Sequence, residues 1–143
     1  MAFISVTRLR VRSLRYLPAF LWRTQSSVRQ AQRAAGFIGG RVLVEARWTF
    51  WTTTAWEDEA AMRAFRGSGA HKAVMPKLLE WCDEASVAHW RQDGPEVPDW
   101  QSAHQQMITS GRPSKVNHPS EAHDGNRIPA PRPSRITREL KPI

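Results

Sequence analysis

The sequence predicts an α+β domain whose chain runs β-α-β-β-α-β. Three patterns carry that prediction. Phe3–Val11 and the run from Trp48 to Trp56 alternate at period two and are rich in aromatic and β-branched residues, the mark of strands. Leu14, Leu17, Leu21, Thr24, Val28, Ala31 and Ala35 recur at spacings of three and four, the mark of an amphipathic helix. Beyond Trp56, the acids Glu57, Asp58 and Glu59 suit the positive end of a second helical stretch.

Taken in order, Phe3–Val11 is the first strand, with Phe3, Ser5, Thr7, Leu9 and Val11 on one face and Ile4, Val6, Arg8 and Arg10 on the other. Proline is tolerated only in a first helical turn, so Pro18 places the regular start of the first helix near Tyr16, and Gly36 stops it. Phe37–Ala46 is a second strand, with Gly39-Gly40 as a bulge or a close backbone approach. Arg47 or its neighbours turn the chain into the third strand. There Trp48, Phe50, Thr52, Thr54 and Trp56 share one face, and Trp51, Thr53 and Ala55 the other.

Ala60, Ala61, Met62, Ala64 and Phe65 continue as good helix formers until Gly67-Ser68-Gly69 breaks the run. A short turn over Ala70–Met75 and a main helix from Pro76 to about Glu84 are expected, followed by a short strand over Val87–Arg91. This order is the split βαβ arrangement of ferredoxin-like folds.

From Asp93 the texture changes. Eight of the ten prolines lie here among Ser, His, Asn and Gly, without sustained periodicity. Such a segment buries too little apolar surface to offset its ordering entropy. Residues 1–92 are therefore read as the domain and 93–143 as a largely disordered tail. Trp100–Ile108 has room for one or two helical turns, and PAPRPSR at 129–135 suits an extended polyproline-like form.

Composition narrows the function. A lone cysteine, Cys82, excludes an internal disulfide, and a cytoplasmic protein is the simplest reading. No apolar run approaches the roughly 20 residues needed to span a bilayer. The net charge of +8 comes mostly from residues 1–47, which hold nine Arg against one acid, Glu45. An Arg- and Ser-rich start also suits a transit peptide, but the strand-then-helix pattern there is one the domain needs. Only four Lys occur, so a nucleic-acid footprint is not favoured over a solvated helix face with some attraction for anions. The sequence has no Gly-rich phosphate loop, no Ser-His-Asp order and no paired-cysteine zinc spacing. His104, His118 and His123 are spaced for no compact metal site.

The candidate site residues come from the strand-to-helix stretch. Trp48, Trp51 and Trp56 cannot all face one way, so at most two line a single cavity. His71 follows a glycine break and, on a continuous helix, shares a face with Met75. As an acid or base it needs a pocket and a partner; the alternative is a helix-start histidine hydrogen-bonded locally. His89 alternates with Ala88 and Trp90 and reads as structural or as lying near the dimer edge.

With FISVTRLRV as first strand and FWTTTAWEDEAAMRAFRGSGAH across the third strand and second helix, residues 2–92 resemble the antibiotic biosynthesis monooxygenase group of dimeric α+β barrels, and within it the spheroidene-monooxygenase-like and small uncharacterised relatives. The resemblance implies a homodimer whose sheets pack into a barrel, with a pocket between each sheet and its helices. Some relatives oxygenate aromatic polyketides without a cofactor; others bind or degrade haem. The haem-degrading branch has an Asn on the first strand, a Trp on the second helix and a later His. Here Thr7 and Phe65 stand at or near the first two places, and His71 follows Ser68 too closely for the third. The function so implied is that of a monooxygenase-like protein acting on a small hydrophobic aromatic or polyene substrate, with no cofactor or with haem. The alternative is a non-catalytic dimeric module for a small ligand. The expected site has Thr7 and His71 in catalytic roles, with Thr7, Trp51 or His71 hydrogen-bonding a substrate enolate, and Trp51, Trp56, Phe65 and Met75 contacting the substrate.

Overall fold

The structure is a computed structural model that describes residues 1–132 and 136–143. Its centre is one antiparallel sheet. The first strand, β1 (Ala2–Val11), leads through a 3-10 turn (Leu14–Tyr16) into α1 (Leu17–Arg33). Strands β2 (Phe37–Glu45) and β3 (Thr49–Trp56) form a hairpin, and α2 (Glu59–Arg66) and α3 (Gly69–Trp81) precede β4 (Cys82–Gln92). The four long strands lie in the order β4-β1-β3-β2, so the predicted α+β, ferredoxin-like arrangement is what the chain adopts. Central β1 pairs with β3, as in Thr7 opposite Thr52, and with β4, as in Thr7 opposite Val87.

Local chemistry sets the boundaries. Pro18 sits in the first turn of α1, where its missing N–H costs nothing. The helix ends at Arg33, where Ala34 turns extended, and Gly36 follows at φ +84, where a Cβ would meet that of Ala61 at 2.6 Å. Asp58 caps α2 by accepting from the Ala61 N–H at 2.8 Å.

Several boundaries depart from the sequence expectation. Trp48 leaves the strand for the hairpin turn, where it and Arg47 take the left-handed conformation at φ 56 and 61. The register of β2 shifts between Phe37 and Gly39, just before the glycine pair, while Gly40 makes the expected close approach, since a Cβ there would meet the Thr53 carbonyl oxygen at 2.6 Å. Pro76 does not start a helix: α3 runs unbroken from Gly69 to Trp81 with Pro76 inside it, and β4 begins at Cys82 instead of Val87. Packing of Val74, Leu78 and Trp81 beneath the helix offsets the one hydrogen bond that proline removes.

The larger departure concerns the segment after Asp93, expected to be largely disordered. Among the described residues it forms α4 (Trp100–Ser110), a two-residue strand β5 (Arg112–Pro113), a single turn α5 (Glu121–Asp124) and β6 (Thr137–Leu140). Strands β5 and β6 extend the two edges of the sheet to give six strands. Residues 133–135 of the PAPRPSR stretch lie outside the described residues.

The sheet is buried on both faces. On one, α1, α2 and α3 cover two apolar clusters, Phe3, Val28, Phe37, Trp56 and Met62 in the first and Val11, Phe20, Phe50 and Cys82 in the second. On the other, Ile4, Val6, Leu43, Trp51 and Ala88 pack against Ala103 and Met107 of α4, with Val97, Trp100 and Ile128 around them. Beside this second core, Arg8 and Glu84 form a buried ion pair at 2.7 Å, and Ser120 donates to the second Glu84 oxygen at 2.8 Å. Burial works against the Glu84 charge, but the hydrogen bonds from Arg8 and Ser120 and the nearby Arg charges outweigh it and hold the carboxyl below its usual range. Among the described residues no helix is long and apolar enough to cross a membrane.

The sheet-to-sheet homodimer expected from the sequence rested on an apolar sheet face without a cover. In this chain α4 supplies that cover. Truncation before Trp100 should therefore strip Ile4, Val6, Leu43 and Trp51 of their partners. Its expected outcome is a loss of at least about 3 kcal/mol in chemical denaturation, the cost of emptying one large core site, with self-association visible by light scattering. A truncated chain as stable and as dispersed as the full one would refute the role given to α4.

Candidate functional site

Strand parity divides the predicted site residues between two places. Trp56, Phe65, His71 and Thr7 lie on the helix-covered side, whereas Trp51 faces α4, where its Nε1 donates to Glu45 at 3.1 Å. Trp51 therefore cannot line a pocket with the others. Met75 is 43% exposed, turned away from the sheet. The expected grouping of six thus reduces to four.

Those four lie on one side of the sheet, along a strip that is only half-buried. Along the middle of β1 and β3 the helix-side residues Ser5, Thr7, Thr52 and Thr54 are only half-buried, as are Val42 on β2 and Val87 and His89 on β4. The residues beyond them on the same face, Phe3, Val11, Phe50 and Trp56, are buried. A central strand has hydrogen-bonded neighbours on both sides, so solvent reaches its side chains only through the layer above. The partial exposure of this hydroxyl-rich strip, between the two apolar clusters, marks where the helices cover the sheet least.

At one end of the strip stands an aromatic stack. The Phe65 ring lies 5.1 Å from that of Trp56 and 4.7 Å from that of His71. Trp56 is fully buried, with its Nε1 donating to Thr54 at 2.9 Å and its ring edge-on to Phe37 at 5.3 Å. His89 approaches Phe3 at 5.6 Å and is paired across the sheet with Ser5. Burial lowers the pKa of both histidines from the ordinary 6.5, and the Arg66 charge acts on each in the same direction, against the hydrogen bond of His71 to the Arg66 carbonyl, so the neutral form of both rings is favoured at pH 7.

His89 is the residue that sequence reasoning set aside. Its parity with Thr7, through the register of Thr7 with Val87, puts it on the helix-covered side, and that register is a tertiary fact. Ser5, Thr52 and Thr54 were legible by alternation, since they share Thr7's face once β1 and β3 are paired.

The placement of His71 follows from Gln30. As the third residue of α3, His71 has a backbone N–H with no partner inside the helix. Gln30 Oε1 accepts it at 2.9 Å, while Gln30 Nε2 donates to the carbonyls of Phe65 and Ser68 at 3.2 and 2.8 Å. One side chain of α1 thereby ties the end of α2 to the start of α3. Gly69, at φ +59, makes room for it, since a Cβ there would lie 2.9 Å from Gln30 Nε2. His71 Nδ1 lies 3.2 Å from the Arg66 carbonyl, as the local hydrogen-bonding alternative expected, which leaves Nε2 as the nitrogen open to other partners.

Against a cofactor, the residues read as follows. A haem would be held through His71 Nε2, whose tautomer the Arg66 carbonyl supports, with the half-buried Phe65 ring beside it. No cluster of three His, Cys, Asp or Glu side chains suited to a metal ion occurs among the described residues. Cys82 is buried, and its thiol is pushed up to about 12, so it is inert at neutral pH. On the opposite side of the molecule a shallow depression of about 680 Å³ lies between Trp90 and α4. Gln92, Gln101, Gln105 and Gln106 line it, with Glu96 as its one titratable group, so it offers hydrogen bonds but no neutral base.

Two expectations follow. Trp56→Ala should cost roughly 3–5 kcal/mol, as for other buried aromatics, measured by denaturant unfolding. The two histidines also give stability a pH dependence. Their folded pKa values are depressed, so the unfolded chain binds more protons just below the ordinary value of 6.5. Stability should be full above that pH and decline as pH falls below it. The double variant His71→Gln, His89→Gln should flatten the slope between about pH 6.5 and 5. The carboxylate contribution of Glu84 is lost at lower pH, below its ordinary 4.5.

The sequence profile of the antibiotic biosynthesis monooxygenase family matches residues 3–77, which hold β1 to β3, α1, α2, most of α3 and the residues Thr7, Trp56, Phe65 and His71. No curated protein matches the chain. Among solved structures, a conserved protein from Methanosarcina mazei Go1 is similar at 21% identity over 65% of this chain and 94% of its own, with a TM-score of 0.58. SnoaB, a cofactor-independent oxygenase from Streptomyces nogalater, is similar at 18% identity over 66% of this chain and 98% of its own, with a TM-score of 0.54. Rv0793 from Mycobacterium tuberculosis is similar at 11% identity over 66% and 97%, with a TM-score of 0.59. At these identities the structural likeness speaks for the fold, while the profile covers more than half of the chain. The chain therefore belongs to the antibiotic biosynthesis monooxygenase family.

Proposed function

We propose that this protein is a monooxygenase-like enzyme acting on a small hydrophobic aromatic or polyene substrate held in the cleft between the sheet and α1–α3. The observation that carries the reading is the neutral pair His71 and His89 beside a strip of hydroxyls and a wall of aromatic rings. Phe65, backed by the buried Trp56, supplies apolar contact for a flat substrate. Thr7 and its neighbours Ser5, Thr52 and Thr54 supply donors for an oxyanion.

In this reading a neutral imidazole takes a proton from an acidic C–H or O–H of the substrate. The resulting enolate is stabilised by the threonine and serine hydroxyls. It gives up electrons to dioxygen, a C–O bond forms, and the hydroperoxide loses water to leave a carbonyl. One oxygen atom enters the product and the other leaves as water; the substrate itself is the reductant. Haem, if loaded, would be held through His71 Nε2 and would supply oxygen activation of its own. SnoaB, described as a cofactor-independent oxygenase, shares the fold and supports the first course. A homodimer remains part of this reading where its contact leaves the α4-covered sheet face in place, and light scattering of the full chain measures it.

Oxygen uptake by the full chain with a panel of reduced polycyclic phenols is the direct test. Turnover should rise with pH through a value below 6.5 and then level, as a neutral base requires. Replacing His71 or His89 with Gln should lower kcat by roughly 10²-fold or more while leaving the melting temperature within a few degrees. Tight binding of the panel without oxygen uptake would support the non-catalytic binding module instead. Undiminished turnover in both variants would remove the histidines from the mechanism.

A further inference from the structure

The outer surface of the helical layer has no part in the cleft. Along α1 and the turn before it, Arg15, Trp22 and Arg29 are seven residues apart and fall on one line down the helix. Leu14 and Leu21, also seven apart, form a second line beside them. These apolar side chains stand in solvent: Trp22 is 74% exposed, Leu14 63% and Leu21 47%. Helix α3 runs alongside α1, joined at one end through Gln30 and at the other by the Tyr16–Trp81 stack at 6.5 Å. It adds exposed Met75 between exposed Lys72 and Lys77.

Charge on this face has one sign. Residues 1–44 contain no Asp or Glu, and Glu80, the one acid in α3, is engaged by Arg12 at 2.5 Å and Asn117 at 3.2 Å. Arg15, Arg23, Arg29 and Arg33 form no ion pair among the described residues. A merely solvated helix face needs arginine but gains nothing from exposed Trp and Leu. A nucleic-acid surface uses arginine and an aromatic ring, yet has no use for Leu14, Leu21 and Met75. Aliphatic side chains, an interfacial tryptophan and guanidinium groups without an acidic partner, Arg15 being held only by the Tyr16 hydroxyl and ring, together match one surface, a bilayer with anionic headgroups.

We propose that the α1–α3 outer face docks on an anionic lipid surface, with Trp22, Leu14 and Leu21 entering the headgroup boundary and Arg15 and Arg29 meeting lipid phosphates. The proposal does not depend on the reaction assigned to the cleft, and no helix needs to span the membrane.

The test uses the full chain and vesicles of equimolar phosphatidylcholine and phosphatidylglycerol, with pure phosphatidylcholine as reference. The protein should sediment with the anionic vesicles, remain in solution with the neutral ones, and be released by salt. The double variant Arg15→Gln, Arg29→Gln should partition roughly 25-fold less, about fivefold per charge removed. Brominated lipid should quench the fluorescence of the parent protein more than that of Trp22→Ala. Both variants change exposed side chains, and unchanged circular dichroism confirms that they fold.

Failure to sediment with anionic vesicles would overturn the proposal, as would equal sedimentation of the double variant. Two further results would also overturn it. One is loss of duplex oligonucleotide binding in these variants while vesicles are ignored, which assigns the face to nucleic acid. The other is a full-chain dimer that Trp22→Ala converts to monomer, which makes it an interface between copies.

Discussion

A sheet with large apolar side chains on both faces has to be covered twice, and this requirement shapes the whole chain. Trp51 and Trp56 are five residues apart on β3, so the pleat sends them to opposite sides, and each is fully buried. Two such side chains together remove on the order of 300–500 Å² of mostly apolar surface from water, which no single layer can accomplish. Helices α1, α2 and α3 answer for Trp56. The answer for Trp51 comes from beyond β4, where α4 sets Ala103 and Met107 against the second face. The extension is further fastened at the edges by β6 on β2 and by the Arg132 N–H on Glu45, the same carboxylate that Trp51 reaches.

Covering the second face also explains an otherwise costly feature. Arg8 lies on the side that α4 and α5 close off, and its charge is tolerated because Glu84 meets it there, with Ser120 of the extension completing the carboxylate. Without the extension, Arg8 and Glu84 would face water and owe each other little. With it, the pair becomes part of the core, and Arg10 and Asp83 continue it toward the margin at 2.6 Å.

The first face is covered less completely, and its incompleteness is the chemical opportunity. Small hydroxylic residues on β1 and β3 cannot fill the space under helices that are held apart by the bulkier Phe and Trp clusters on either side. The result is a strip where polar side chains remain reachable, next to histidines that burial keeps neutral. Gln30 fixes the helical roof over it through both ends of one amide, so that His71 is positioned by α1 as much as by its own helix. Fold and site are thus separable: the family supplies the sheet and its helices, whereas the side chains that border the strip are this chain's own.

The sequence by itself determined the order of the strands and helices, because alternation, the three-and-four spacing of α1 and the stops at Gly36 and Gly67–Gly69 are local signals that tertiary contacts reinforce here. It also set the parity of Thr7 and of Trp51 against Trp56, since parity is a property of one strand. Only the tertiary structure decided the rest. That Pro76 lies within α3 depends on packing beneath the helix, and that His89 shares the helix-covered side with Thr7 depends on the register of β4 against β1. The order of residues beyond Asp93 had little periodic signal outside Trp100–Ile108, because α4 stands among prolines and only Trp100, Ala103 and Met107 turn to the sheet. They suffice only because the sheet already presents Ile4, Val6 and Trp51 to receive them, a partnership that spans the whole length of the chain.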